Sequence, residues 1–176
     1  MTRSDDRRAI LLDRLADFVL AKGLAAASLR PLAQAAGLSD RMLLYYFKDK
    51  SEILVATLEV IAGRLVKVLE ARTSGERLPF DALRAALAEV VLDATVWPYL
   101  CLWLDLASLS ARHDPLFSPI AEQIGRGFLA WGEAQLDSPD AAARQSEAAR
   151  LLVMTEGLVF VQAIGMADTC RVALKP

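Results

Sequence analysis

Apolar residues recur at helical spacing along almost the whole chain, and nowhere do they alternate as a half-buried strand requires. Leu11, Leu15, Phe18 and Val19 set the pattern near the start, and Ala148, Leu151, Leu152, Thr155, Leu158, Val159 and Gln162 repeat it near the end. There is no hairpin dipeptide, low-complexity tract or repeat. The chain is expected to be all-α.

Cap residues divide it. Ser4 or Asp5 can start a first helix that Gly23 ends. Ser28 caps a second, with Pro31 harmless in its first turn, and Gly37 stops it. Ser39 caps a third, through about Tyr46, and Asp49 with Glu52 forms a capping-box start for a long fourth, to about Arg72. The polar stretch Thr73-Ser74-Gly75-Glu76 is the best candidate boundary beyond it. Further helices are expected at about 79–94, 98–112, 115–136 and 140–167, broken at Trp97-Pro98, Asp114-Pro115, Ser118-Pro119 and Ser138-Pro139. The second of the two middle prolines is an alternative start for its helix. The expected organisation is an N-terminal unit of residues 1–50 and a helical unit of 51–176, bridged by the fourth helix.

Composition narrows the function. Apolar residues make up 55 % of the chain, above the roughly 45–50 % of an average domain, which calls for a buried subunit interface, an apolar pocket, or both. Residues 1–50 carry a net charge of +3 and residues 51–176 a net −5, so an anionic partner is expected for the first part only. Cys101 and Cys170 have no metal-like spacing and read as free buried thiols. The longest uncharged runs, Ala94–Leu104 and Gly157–Ala167, fall well short of the ~20 residues of a membrane span. With no apolar signal segment at the start, the reading is a soluble, cytoplasmic protein. One histidine, no metal cluster, no phosphate-binding glycine loop and no nucleophile elbow argue against an enzyme, a resident metal or a cofactor.

Residues 28–46 read as a helix-turn-helix whose turn, Ala36-Gly37-Leu38, uses small residues where two helices meet. The plainer alternative is two short helices packed in an all-α protein. On a helical wheel, Met42, Leu43, Tyr46 and Phe47 fall on one side and Asp40, Arg41, Leu44 and Tyr45 on the other. The second group suits a DNA groove: arginine grips guanine bidentately, leucine meets a thymine methyl, and a tyrosine hydroxyl donates to phosphate. Asp40 is awkward beside phosphate, unless it accepts from a cytosine amino group or serves the helix N-terminus. Lys50, in the first turn of the fourth helix, lies beside backbone N–H groups that favour an anion. Arg3, Arg7 and Arg8 read as a flexible basic tail, with minor-groove contact the alternative.

Residues 9 to about 54 resemble the DNA-binding domain of TetR-like (tetracycline-repressor-like) transcriptional regulators. The resemblance runs through Ser28-Leu29-Arg30, Leu32-Ala33-Gln34-Ala35-Ala36-Gly37-Leu38-Ser39, Tyr45-Tyr46-Phe47, and Lys50 before Ile53-Leu54. It implies a three-helix helix-turn-helix domain followed by a helical ligand-binding and dimerisation domain. Ser28, Arg30, Ser39, Asp40, Arg41, Leu44, Tyr45, Tyr46 and Lys50 become the expected DNA-facing set, with solvated surface the alternative for Arg30. Three positions depart from the family pattern. Leu44 stands where an aromatic is usual, Tyr46 where histidine is frequent, and Pro31 at a commonly polar position.

A single unit of this kind binds weakly, whereas a dimer places two recognition helices in successive major grooves, ~34–36 Å apart. By resemblance, the last two expected helices form a four-helix bundle across a two-fold axis. Phe128, Trp131, Leu151, Leu152, Thr155, Leu158, Val159 and Gln162 are its expected interface, with Gly157 and Gly165 allowing close approach; the alternative is intramolecular core. Trp97, Tyr99, Cys101, Trp103, Asp105 and Phe117, with Ser108 and His113, are the expected walls of an effector pocket, or else ordinary core. His113 reads most simply as a favourable charge at a helix C-terminus. The resemblance thus implies a repressor that binds a palindromic operator as a homodimer and is released by an apolar or aromatic small molecule of unknown identity. A helical adaptor that binds protein through residues 39–50 is the competing reading.

Overall fold

The computed structural model describes residues 3–73 and 76–174; Ser74 and Gly75 of the expected boundary loop, and the side chains of Arg3 and Ser4, lie outside the described residues. Nine α-helices and no strand form among them: α1 Arg3–Lys22, α2 Leu29–Ala36, α3 Asp40–Tyr46, α4 Lys50–Glu70, α5 Phe80–Leu92, α6 Trp97–Ala111, α7 Phe117–Gln135, α8 Ala141–Ala163 and α9 Ala167–Ala173. The all-α expectation holds. A 3-10 turn at Leu24–Ala26, which the sequence did not announce, joins α1 to α2. No single helix among the described residues is long and apolar enough to cross a membrane.

The cap residues explain where the short helices sit. Ser39 Oγ accepts from the Met42 N–H at 3.3 Å and Asp49 Oδ1 from the Glu52 N–H at 2.9 Å, so α3 and α4 start where expected. Glu52 reaches back to the Lys48 N–H (2.7 Å), one residue earlier than a strict capping box. Ser28 occupies the cap position of α2, but its side chain makes no capping bond. Gly37 closes α2 at φ 73, a left-handed conformation that costs a residue with a Cβ. Its N–H and that of Leu38 return to Ala33 and Gln34 carbonyls, and Arg14 Nη1 donates to the Ala36 carbonyl at 3.1 Å. The turn of the helix-turn-helix is therefore fixed from α1 as well as from within.

Two apolar cores hold the helices. The first joins Leu11, Leu15 and Val19 of α1, Leu32 of α2, Leu43 of α3, Phe47 just past its end, and Ile53, Leu54, Leu58 and Ile61 of α4 to Leu102 and Leu106 of α6 and Ile120 of α7. The second gathers Leu69, Leu83, Leu87, Val91, Trp131, Leu151 and Val159. α4 contributes to both. At its far end, Arg72 pairs with Asp93, tying the end of α4 to the loop after α5.

Four expectations change in the C-terminal part. Asp114 Oδ1 accepts from the Leu116 and Phe117 N–H groups (2.9 and 3.1 Å) and so sets the start of α7 between the two candidate prolines. Asp140, accepting from the Ala143 N–H at 2.8 Å, caps α8. α8 ends at Ala163 rather than 167, because Gly165 takes φ 87 and turns the chain into α9; this glycine makes a corner, not a close helix approach. Cys170 is buried as expected but Cys101 is exposed, because α6 turns it away from Leu100 and Leu102.

Candidate nucleic-acid interface and apolar cavity

On α3, Leu43 (0 % exposed) and Phe47 (1 %) enter the first core and fix the helix roll. Asp40, Arg41, Leu44 and Tyr45 then face outward, with Tyr45 78 % exposed. Tyr46 is half-buried and meets Tyr45 edge to face, ring centroids 5.3 Å apart. Met42 differs from its expected inward place. It is 44 % exposed and borders a shallow groove with Arg41, Leu44 and Tyr45, because Leu43 and Phe47 already fill the core beneath a helix of seven residues. The outward face therefore carries one more soft apolar group than the wheel assigned.

Cations around this face fall into two sets. Arg8 is held inward: it pairs with Glu52 at 2.8 Å and lies 4.8 Å above the Phe47 ring, while Arg3 to Lys22 form α1. The expected flexible tail is thus largely an ordered helix, and Arg8 braces α3 instead of hanging free. Arg30, Arg41, Lys48 and Lys50 are exposed and form no ion pair among the described residues. Lys48 was missed by sequence reasoning; its place between Phe47 and Asp49, both fixed by α3 and α4, was the available signal. Ser28 and Ser39 are exposed at the starts of α2 and α3. At the start of α4, Asp49 already takes the Glu52 N–H, leaving the Lys50 and Ser51 amides outside any bond among the described residues.

The expected pocket residues do not share one space. Tyr99 and Trp103 line a cavity of about 100 Å³ between α4, α6, α7 and α8, together with Leu58, Leu65, Phe128 and Glu156. Asp105, Ser108 and Phe117 border a separate cleft beside Lys50 and Ser51. Trp97 packs against the second core, and exposed Cys101 lines neither space. His113 stands just past the end of α6 at φ 60, its N–H donating to the Ser110 carbonyl at 2.9 Å. The cavity wall is apolar except for Thr155 and Glu156 and the polar tips of Tyr99 and Trp103. Trp103 Nε1 donates to Glu156 Oε2 at 2.7 Å. Burial pushes the Glu156 carboxyl above its ordinary value, the indole bond pulling the other way. Sequence reasoning missed Glu156, since an acid within a helix reads as solvated surface.

The expected interface stripe turns inward. Leu151 and Val159 are 2 % and 1 % exposed, Thr155 and Leu152 face the cavity, and Leu158 packs on the second core. Gln162 Nε2 donates to the Val91 carbonyl at 3.2 Å. On α7, Trp131 is buried and stacks at 5.6 Å with Phe128, which also lines the cavity. The cause is that α8 is apolar on both sides, and α5 and α7 claim this one. Outward lie Val153 (71 %), Phe160 (58 %) and Ile164 (56 %).

Comparison with known proteins gives consistent relations. The sequence pattern of the family described as "Bacterial regulatory proteins, tetR family" matches residues 11–57. A protein of Burkholderia cenocepacia named HTH-type transcriptional regulator BetI is 31 % identical over 175 residues, covering 96 % of this chain and 89 % of that one. A Paraburkholderia phytofirmans protein of the same name is 32 % identical over 112 residues, or 62 % of this chain and 57 % of that one. Among solved structures, a TetR-family regulator of Cytophaga hutchinsonii superposes with a TM-score of 0.78 at 18 % identity, covering 99 % of this chain and 94 % of that one.

Proposed function

Because the chain belongs to the TetR family of helix-turn-helix transcriptional regulators, we propose that it is a repressor that binds a two-fold symmetric operator as a homodimer and releases it when an apolar or aromatic small molecule enters the cavity beside α4. The observation that carries this reading is the outward face of α3. Arg41, Leu44 and Tyr45 project from a helix pinned by Leu43 and Phe47, flanked by the exposed cations Arg30, Lys48 and Lys50.

Roles follow from chemistry. Arg41 reads a guanine edge, and Leu44 and Met42 offer apolar contact to a thymine methyl. Tyr45, Arg30, Lys48 and Lys50 hold phosphates and set the register, with the hydroxyls of Ser28, Ser39 and Tyr46 as further donors. Asp40 lies in the first turn of α3, where a carboxylate complements the positive end of the helix. The exposed apolar residues Val153 and Phe160 of α8, with Ile164 just past its end, support a dimer, in place of the inward stripe. The cavity supports effector control: α4 supplies Leu58, Ile61, Ala62 and Leu65 to its wall and Lys50 to the DNA side. A ligand that favours one position of α4 biases the spacing of the two reading heads.

Fragments of DNA from upstream of the gene, presented to the purified protein, test the reading. One fragment is expected to be retained specifically, with an affinity that falls steeply as salt rises, since several phosphates are neutralised. Binding that no salt concentration weakens, or no selection of any fragment, points instead to a protein-binding module.

A further inference from the structure

Glu156 is the one charged side chain in the wall of an otherwise apolar cavity. Among the described residues no lysine, arginine or histidine pairs with it. Oε2 accepts a hydrogen bond from the Trp103 indole N–H, and Oε1 accepts none from the described residues. A partly buried carboxylate without a counter-charge pays a desolvation cost, which its raised proton affinity reports. Yet the residue stands one turn of α8 from Leu152 and Val159, where an alanine or leucine would complete the wall at no such cost. The rings of Tyr99, Trp103 and Phe128 border the same space, and aromatic rings attract cations most strongly where water is excluded.

Resting on the reading that this cavity takes the effector, we propose that the effector is an amphipathic organic cation, a protonated amine or amidine whose N–H donates to Glu156 and whose apolar body lies among Tyr99, Leu65 and Phe128. Trp103 is then a positioning residue: its indole holds one carboxylate oxygen and leaves the other without a partner among the described residues. The volume, about 100 Å³, is below the ~150 Å³ of an apolar cavity that accepts benzene, so a body of one ring enters only as the side chains of the wall give way around it. A neutral ligand would leave the carboxylate uncompensated and an anion would be repelled. The site therefore selects by charge, which apolar packing alone does not do.

Three probes of similar shape test this by calorimetry: phenethylammonium, phenethyl alcohol and phenylacetate. The parent protein is expected to bind the cation about tenfold tighter than the alcohol, as a charge-assisted hydrogen bond replaces a neutral one, and phenylacetate least. Glu156→Gln, which keeps the shape and one acceptor oxygen, should lose that preference while binding the alcohol as before. Thermal unfolding establishes that the variant is folded, and Glu156→Leu, expected to favour the alcohol, provides a second folded comparison. Equal affinity of the parent for cation and alcohol overturns the proposal, as does a preference that survives Glu156→Gln. Operator release is read separately. A cation preference without release keeps the charge selection and sinks effector control at this cavity; release by the alcohol as readily as by the cation does the reverse. If no probe binds, both readings fail.

Discussion

Arg41 and Lys50 are both exposed and form no ion pair among the described residues, yet they stand on different helices and are assigned different work. Arg41→Ala should cost about 1–3 kcal/mol on the preferred operator and much less on altered sites, flattening discrimination. Lys50→Ala should weaken all sequences alike and lower the salt slope by about one. Fluorescence anisotropy on an operator and its single-base variants separates the two; identical behaviour of both variants removes the distinction between reading and gripping. The caps Ser39 and Asp49 and the corner at Gly37 were legible in the sequence because each acts within a few residues of itself. Met42 was not. A wheel at 100° per residue places it near the packed side, but a helix of seven residues needs only Leu43 and Phe47 to seat it, and the rim residue is left outside. Glu156 was illegible for a different reason: its burial depends on Trp103, which is remote in sequence.

At the scale of elements, the end of α4 and the loop after α5 are joined through Asp93. The Thr95 backbone N–H, at 2.7 Å, does most to hold this carboxyl down to about 2 from 3.8, with Arg72 and the Thr95 hydroxyl adding to it. A depressed carboxylate contributes stability above its unfolded value and loses it as pH falls through its folded one. Asp93→Asn should therefore melt below the parent at neutral pH, with the gap closing between pH 4 and about 2. Melting curves recorded across that range check it, and a gap constant with pH refutes the linkage. The helices themselves were legible, their cap and proline signals falling close to the observed ends. The roll of α8 was not, because a helix apolar on opposite sides has no single preferred face. Leu151 and Val159 went inward only because α5 and α7 lie there to receive them. α9 hid behind the uncharged run Gly157–Ala167, in which Gly165 looked like one more helical residue.

For the whole molecule, the two apolar sides of α8 differ: one closes the protomer, and the other, continued by Ile164 and carrying Val153 and Phe160, is exposed and is the face proposed for a second copy. Phe160→Glu should give a folded monomer in sedimentation equilibrium, with operator affinity reduced tenfold or more because each half-site is then bound alone. A dimer that persists unchanged places the interface elsewhere. Composition had announced this excess of apolar surface without saying how it would be divided between core, cavity and interface. On the proposed function, α4 is the element through which the cavity and the DNA face communicate. Between Leu65 in the cavity wall and Lys50 on the DNA side run fifteen residues of unbroken helix, roughly 22 Å at 1.5 Å each. Pivoted near Leu65, that rod behaves as a lever: a tilt of roughly 5° carries Lys50 about 2 Å, more than a phosphate hydrogen bond tolerates. Mechanical gain of this order needs no large motion at the cavity, and it ties two traits together. If α4 works in this way, a substitution that reshapes the cavity wall along it also resets the resting angle of the lever, and effector preference and unliganded operator affinity are expected to shift together.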